Sequence, residues 1–424
     1  MLTRTEQIWN PGTPVLSNLS HMAKNLWNEA NYTCRQAYFY NQYNPEEPKQ
    51  NIPTYSVLCG NFKTSENYQA LNAQTSQQIL KTLARSWTSY WESIKDWKNH
   101  PEKYLGMPKP PNYKPKNGES FLIFTNQQCK IINGWLQFPP TLNLDPIKTR
   151  LPDSTDLREV RIIPKGTGYV YEIVYNTLDE EEIINKRWYS RLNNKNRILG
   201  IDLGVRNTVT IANNIGLVPI VVKGGVLKSI NQFYNKQRAK FQQGKDNAEK
   251  IKFPGTRIRI VDKCESSLLR LTDIRNRKIK DRMHKISKCV ADYCEEQNIG
   301  IVVIGYNENW KQQSNMGTQN NQNFVSIPFY TLVRMLVYKL DRLGIKVIEQ
   351  EESHTSKCSF LDNESIEHHE SYAGKRNGGL FKTAKGIIIN ADVQGALNII
   401  RKAIPDAFAK GIEDVVLHPI KVTL

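Results

Sequence analysis

One acid inside a β-branched apolar run constrains this chain more than any other feature. Ile198-Leu199-Gly200-Ile201-Asp202-Leu203-Gly204 leads into Val205-Arg206-Asn207 and then a second β-rich run, Thr208-Val209-Thr210-Ile211-Ala212. The pattern predicts a tight strand-turn-strand, turned at Gly204, with the Asp202 carboxylate near the centre of the first strand. A carboxylate taken into an apolar layer must be hydrogen-bonded or hold a cation, because an uncompensated buried charge is costly. Asp202 is therefore a satisfied turn residue or a metal ligand, and Mg2+ is a cation whose preference for hard oxygen suits it.

Charge narrows the partner. The 424 residues carry 58 Lys and Arg against 41 Asp and Glu, a formal net charge of +17, so the expected partner is a polyanion, nucleic acid first. No apolar run approaches the roughly 18 residues of a membrane span. Met1 to Glu6 lack the apolar core of a signal peptide, and the seven cysteines are scattered. The expectation is a cytoplasmic, nucleoid-associated protein in a reducing compartment, with no membrane partner.

In the N-terminal half, Leu2 to Trp9 reads as a strand closed by Asn10-Pro11-Gly12. Leu19, Ala23, Leu26, Ala30 and Cys34 share one face of a helix over Leu16 to Tyr43. A second helix follows from Ile79, Leu83, Trp87, Tyr90, Trp91 and Ile94, with Lys81 and Arg85 on its basic outer face. The proline-dense, basic segment Gly106 to Lys116, with Lys109 and Lys114, marks a boundary. Short β-like runs at Phe121 to Thr125, Lys130 to Phe138, Val160 to Pro164 and Tyr169 to Tyr175 predict a small antiparallel barrel or sheet. The helices are then an insert after its first strand.

Beyond Arg197 strands alternate with helices, the pattern of an α/β layer. Two basic helical stretches, Leu227 to Gln243 and Arg257 to Gln297, come next, and the second offers Arg275, Lys278, Arg282 and Lys285 to a phosphate backbone. A buried strand at Gly300 to Ile304 leads to a Gln/Asn-rich link, residues 312–323, read as a mobile loop. A helix over Tyr330 to Leu343 precedes a strand from Lys346 to Glu352. Ser353-His354-Thr355-Ser356-Lys357-Cys358-Ser359 then opens a Gly- and Lys-rich loop, which returns at Ile387 to Asn390. There a helix begins with Asp392 in its first turn and Asn390 placed to cap it.

Taken together, Gly200-Ile201-Asp202-Leu203-Gly204, the strand at Val302, Thr355-Ser356-Lys357-Cys358-Ser359 and Asn390-Ala391-Asp392-x-x-x-Ala396-x-Asn398 resemble the C-terminal half of TnpB. TnpB proteins are transposon-encoded RNA-guided nucleases related to type V CRISPR effectors and to Fanzor. The motifs match in order from about residue 196 to 403; the N-terminal half resembles the family only in architecture. The resemblance implies a multidomain α+β chain. Residues 1–15 would be the first strand of a β-barrel-like wedge domain, 16–105 a helical recognition insert and 106–195 the rest of the wedge. Residues 196–352 would begin an RNase H-like (RuvC) nuclease domain, 353–389 a degenerate zinc-finger-like loop, and 390–424 the last nuclease helix and tail.

It further implies two Mg2+ ions held by Asp202, a glutamate and Asp392, which hydrolyse DNA paired to a guide RNA copied from the transposon end, one protein per RNA. The partners are that RNA and double-stranded target DNA. Two departures bear on this. The family usually sets its second acid just after the strand that is here Ile301 to Ile304, and this chain has Gly305 there. However, Glu352-x-His354-Thr355-Ser356-Lys357 resembles the Glu-x-Tyr-Thr-Ser-Lys string of Fanzor-like, rearranged members. Glu352 is the first choice for the missing acid, Glu351 the second and Glu308 the third. Relatives also carry two Cys-x-x-Cys pairs before the last acid, whereas here Cys358 stands with only His368 and His369, so zinc is not expected. Lys357, Lys375, Arg376, Lys382 and Lys385 of that loop are read as nucleic-acid contacts, and Gly374, Gly378 and Gly379 as a sign of mobility. A nuclease-inactive RNA-guided repressor and a strand-transferring transposase or resolvase are the alternatives.

Overall fold

A computed structural model describes residues 2–177, 185, 194–307, 327–409, 411 and 415–424. The chain divides into two compact units, Met1–Leu178 and Asp179–Leu424.

The first unit opens with β1 (Leu2–Asn10) and α1 (Pro14–Tyr43), whose Thr13 hydroxyl caps the helix by accepting from the Leu16 N–H. After α2 (Tyr55–Phe62) and α3 (Glu66–Gln69), α4 (Ala73–Asn99) buries Ile79, Leu83, Trp87, Tyr90 and Ile94. The strands β2 (Leu122–Thr125), β3 (Lys130–Ile132), β4 (Trp135–Gln137), β5 (Ile147–Lys148), β6 (Leu157–Lys165) and β7 (Gly168–Thr177) complete the unit. They form two antiparallel sheets, ordered β1-β7-β6-β2 and β3-β4-β5. β1 pairs with β7 along its whole length, so the helices are inserted after the first strand of the larger sheet. The run Lys130 to Phe138, expected as one strand, is a hairpin turned at Asn133 and Gly134, both with positive φ. One apolar core joins α1, α4 and strands of both sheets.

The proline-dense segment is a strap laid along α1. Lys24 Nζ donates to the Lys116 carbonyl at 2.7 Å, Asn28 exchanges hydrogen bonds with Lys114, and Asn31 and Arg35 donate to the Pro111 carbonyl at 3.1 and 2.8 Å. Prolines bring no N–H to a sheet, so the segment's carbonyls are met by side chains spaced three and four apart on one helix face.

The second unit holds β8 (Ile198–Leu203), β9 (Asn207–Asn213) and β10 (Ile220–Lys223), then the helices α5 (Gly225–Glu249) and α6 (Pro254–Glu296). Next come β11 (Ile301–Gly305), α7 (Phe329–Arg342) and β12 (Lys346–Gln350). The strands β13 (Lys375–Asn377), β14 (Leu380–Lys382) and β15 (Ile388–Asn390), the helix α8 (Ala391–Ala403) and β16 (Ile420–Val422) end it. The main sheet runs β12-β11-β8-β9-β10-β16. β8, β9 and β10 are antiparallel, β11 and β12 follow parallel to β8, and β16, in a tail read as having weak strand or helix signals, pairs parallel with β10.

The sheet's two faces explain its sequence. Leu199, Ile201 and Leu203 of β8 and Val302 and Ile304 of β11 join the core formed by α6 and α7. The alternate residues Ile198 and Val303 meet Ile399 and Ile400 of α8. Gly200 lets α8 come close, since a Cβ there would collide with the Ala396 carbonyl. The loop read as mobile carries instead the three-stranded antiparallel sheet β13-β14-β15, turned at Gly378 with φ 62° and Gly379. Phe381 of β14 is buried with Phe360 and Ile389, which anchors that sheet. The link over 312–323 lies outside the described residues.

Candidate active site

Asp202 falls on the α8 face of the sheet by the same alternation, next to last in β8. Gly395 of α8 lies against it, with a built Cβ standing 3.0 Å from Asp202 Oδ2. Asn390 caps α8, its Oδ1 accepting from the N–H groups of Asp392 and Val393 at 3.1 Å each. That fixes Asp392 in the first turn, where the helix dipole favours an anion. Both Asp392 oxygens are engaged: Asn207 Nδ2, from the start of β9, donates to Oδ2 at 2.6 Å, and Arg376 Nη2, from β13, donates to Oδ1 at 2.8 Å. The sequence reading gives Asn207 no role and gives Arg376 to nucleic acid. The signal available is an Asn at the exit of the turn that follows Asp202.

Glu352 arrives from the neighbouring strand. β12 ends at Gln350, opposite Gly305 in the parallel ladder, so Glu351 and Glu352 lie just past the strand expected to contain them. The Glu352 N–H donates to Asn307 Oδ1 at 2.8 Å, and its carbonyl accepts from the Thr355 hydroxyl at 2.8 Å, which turns the chain back over the sheet. Its carboxylate then occupies the space beside Gly305. A Cβ on Gly305 would collide with Glu352 Oε1 and Ile399 Cδ1, so a side chain at 305 and this carboxylate exclude one another.

The electrostatics are those of crowded, desolvated acids. Burial pushes the Glu352 carboxyl up to about 7, with the Glu351 charge adding to the rise and Lys402 opposing it. Asp202 is raised well above its ordinary value by burial, then by the charges of Glu352 and Asp392, with Arg376 opposing. Glu352 Oε1 is buried without a hydrogen-bond partner. Glu351 is different: against the raising effect of burial, hydrogen bonds from Lys402 and Ser353 hold it below the usual range, and it is exposed. Glu308 lies outside the described residues.

Three carboxylates, one with an orphaned oxygen, are a donor set that suits Mg2+ in chemistry. As the side chains stand, no group of three or more His, Cys, Asp or Glu among the described residues is gathered to hold a metal ion. Arg376 occupies Asp392 Oδ1 and Asn207 its Oδ2.

The segment that Thr355 opens is held to α8 by hydrogen bonds. Cys358 is buried, its carbonyl accepts from Gln394 at 3.1 Å and Asn398 at 2.7 Å, and Asn398 also donates to the Thr355 carbonyl at 2.8 Å. Arg401 reaches Asn363 and the Glu364 carbonyl. His368 packs edge-on against His354, and His369 bonds at Ser365.

The basic residues separate by environment. Arg85, Lys109, Lys278 and Lys357 are exposed, and Lys81 and Arg282 half-buried. Lys285 is exposed but paired with Asp281 at 2.8 Å. Lys114 lies over the rings of Trp27 and Phe121, its ammonium pKa lowered by burial. Arg275 bonds Asn231 and lies over Tyr234, tying α6 to α5.

Comparison with known proteins gives two domain matches. The family model OrfB_IS605, probable transposase, matches residues 173–311, and Cas12f1-like, TNB domain, matches residues 329–399. The chain is 26% identical over 287 residues to the CRISPR-associated endodeoxyribonuclease Cas12f1 of Sulfoacidibacillus thermotolerans, a match covering 62% of this chain and 61% of that protein. It is 23% identical over 419 residues to the TnpB-like protein ORF457 of Acidianus two-tailed virus, covering 92% and 83%. A Cas12f1-sgRNA-target DNA complex aligns with a TM-score of 0.49 at 13% identity, over 91% of this chain and 82% of that one.

Proposed function

We propose that this chain, which carries the probable-transposase and Cas12f1-like TNB domains and is related to TnpB-like and Cas12f1 proteins, is an RNA-guided DNA endonuclease of an insertion sequence. It takes a guide RNA from the transposon end and cuts the DNA paired to it beside a short flanking motif. One observation carries the reading: the Glu352 carboxylate fills the place left by Gly305, on the sheet face that also carries Asp202. The sheet order, three antiparallel strands followed by two parallel ones, supports an RNase H-like layer.

Asp202, Glu352 and Asp392 would hold Mg2+, which when bound supplies activation of a water and charge relief at the leaving oxygen. The chain's own residues do the rest. Asn207 orients Asp392, and the Asn307 and Thr355 bonds aim Glu352. Arg376 must leave Asp392 Oδ1 for that oxygen to ligate, and its guanidinium then suits a phosphate of the bound strand. A non-cleaving, guide-dependent binder is the second reading, favoured by the Arg376–Asp392 pair.

The test is cleavage by protein co-expressed with its transposon-end RNA, on a library of flanking motifs, with and without Mg2+. Asp202→Ala, Asp392→Ala and Glu352→Ala each abolish guide-dependent breaks and keep RNA-dependent DNA binding. Cutting by any of the three overturns the site; wild-type binding without breaks at any Mg2+ level selects the second reading.

A further inference from the structure

The first unit carries a column of rings around one cation whose outer end lies beyond its core. Arg35 of α1 is sandwiched, its guanidinium carbon 5.1 Å from the Phe39 ring centre and 5.2 Å from that of Tyr113 on the strap. Phe39 in turn stacks on Tyr43 at 6.0 Å with 17° between the planes. Arg35, Phe39 and Tyr43 follow at four-residue spacing, so one helix face generates the column. The inner part serves the fold, because Arg35 also donates to the Pro111 carbonyl and fastens the strap. The outer part has no such duty. Tyr43 closes α1 and is 77% exposed, while Tyr113 at the other end is 45% exposed.

A pre-stacked ring open to water, backed by a guanidinium and set in a chain of net charge +17, has the chemistry that takes up an unpaired nucleobase. Stacking on Tyr43 costs little order, because the Phe39 contact already limits the ring, and reads no sequence, because every base has a π face. We infer that the Tyr113-Arg35-Phe39-Tyr43 column is a stacking site for an unpaired base of single-stranded nucleic acid, with Tyr43 as the accepting ring. This rests on the nucleic-acid reading of the proposed function but not on cleavage.

The experiment uses the full chain with fluorescent oligo(U) and oligo(dT), measuring affinity over a salt series, with melting temperature as a control on folding. Tyr43→Ala weakens binding about tenfold at fixed salt and leaves the slope against salt unchanged, since no ionic contact is lost, while Tyr43→Trp binds as wild type. The strand type with the larger loss identifies RNA or DNA as the source of the base. Substituting 5-iodouracil and mapping the photo-crosslink places it on Tyr43, which decides the matter even if the alanine variant melts lower. Wild-type affinity in Tyr43→Ala with no crosslink at Tyr43 overturns the stacking site alone. Failure of the wild-type protein to bind either oligomer removes the nucleic-acid reading beneath it.

Discussion

Two neighbouring regions of the second unit depart from the motifs that the resemblance implies, and the structure fills the two places differently. On the sheet face that carries Asp202, position 305 is a glycine, and the Glu352 carboxylate, from one strand over, stands in the space a side chain there would take; under the proposed function it serves as the missing acid. In the segment from Thr355 to Glu364, amides and a guanidinium do the holding: Gln394, Asn398 and Arg401 hold the turn by its carbonyls. A reacting centre depends on charge and oxygen donors, so only like chemistry substitutes. A turn depends only on being crosslinked, and hydrogen bonds to buried carbonyls serve that end.

The sharpest way to break this contrast is to move the acid back. Glu352→Gly abolishes guide-dependent cleavage, and adding Gly305→Glu recovers it by about tenfold to a hundredfold, the coupling expected of residues that compete for one space. If the double variant is as dead as the single, the two positions are not equivalent donors to one site.

The next effect is on stability. The folded-state Glu352 pKa, about 7, lies above its ordinary 4.5, so the folded protein binds this proton more tightly than the unfolded chain. Stability is then fully present below 4.5 and falls as pH rises to 7, by at most about 3 kcal/mol for a shift of this size. Denaturant melts of metal-free Glu352→Gln should match wild type at pH 4.5 and exceed it by about 2 kcal/mol at pH 8. Equal stability at pH 8 would mean that Glu352 is not held as a desolvated acid.

Smaller still is the expected loss at the turn. Asn398→Ala removes two buried hydrogen bonds and costs about 2 kcal/mol by denaturation. A strong zinc chelator should leave the wild-type melting temperature unchanged; a fall of several degrees would mean that a metal shares the work of these amides.

Much of this is legible in sequence, for a physical reason. β8 and β9 announce themselves by β-branched runs either side of Gly204, and α8 by Asn390 and its apolar spacing, because those signals are local. Glu352 is reachable only through the resemblance; that the space at Gly305 receives it depends on the pairing of β11 with β12 and on Thr355 turning the chain back. Arg376 and Asn207 at Asp392 are tertiary meetings across 16 and 185 residues, which no periodicity encodes. The strap reads in sequence as a boundary because proline density marks an absence of secondary structure, and says nothing of side chains elsewhere that will bind its carbonyls.

That strap has an evolutionary corollary. Much of its anchoring to α1 is through its own backbone oxygens, which every amino acid possesses, so substitutions along it leave those anchors intact. The helix face that supplies Lys24, Asn28, Asn31 and Arg35 is correspondingly hard to alter, while the ribbon it carries can drift in charge and shape.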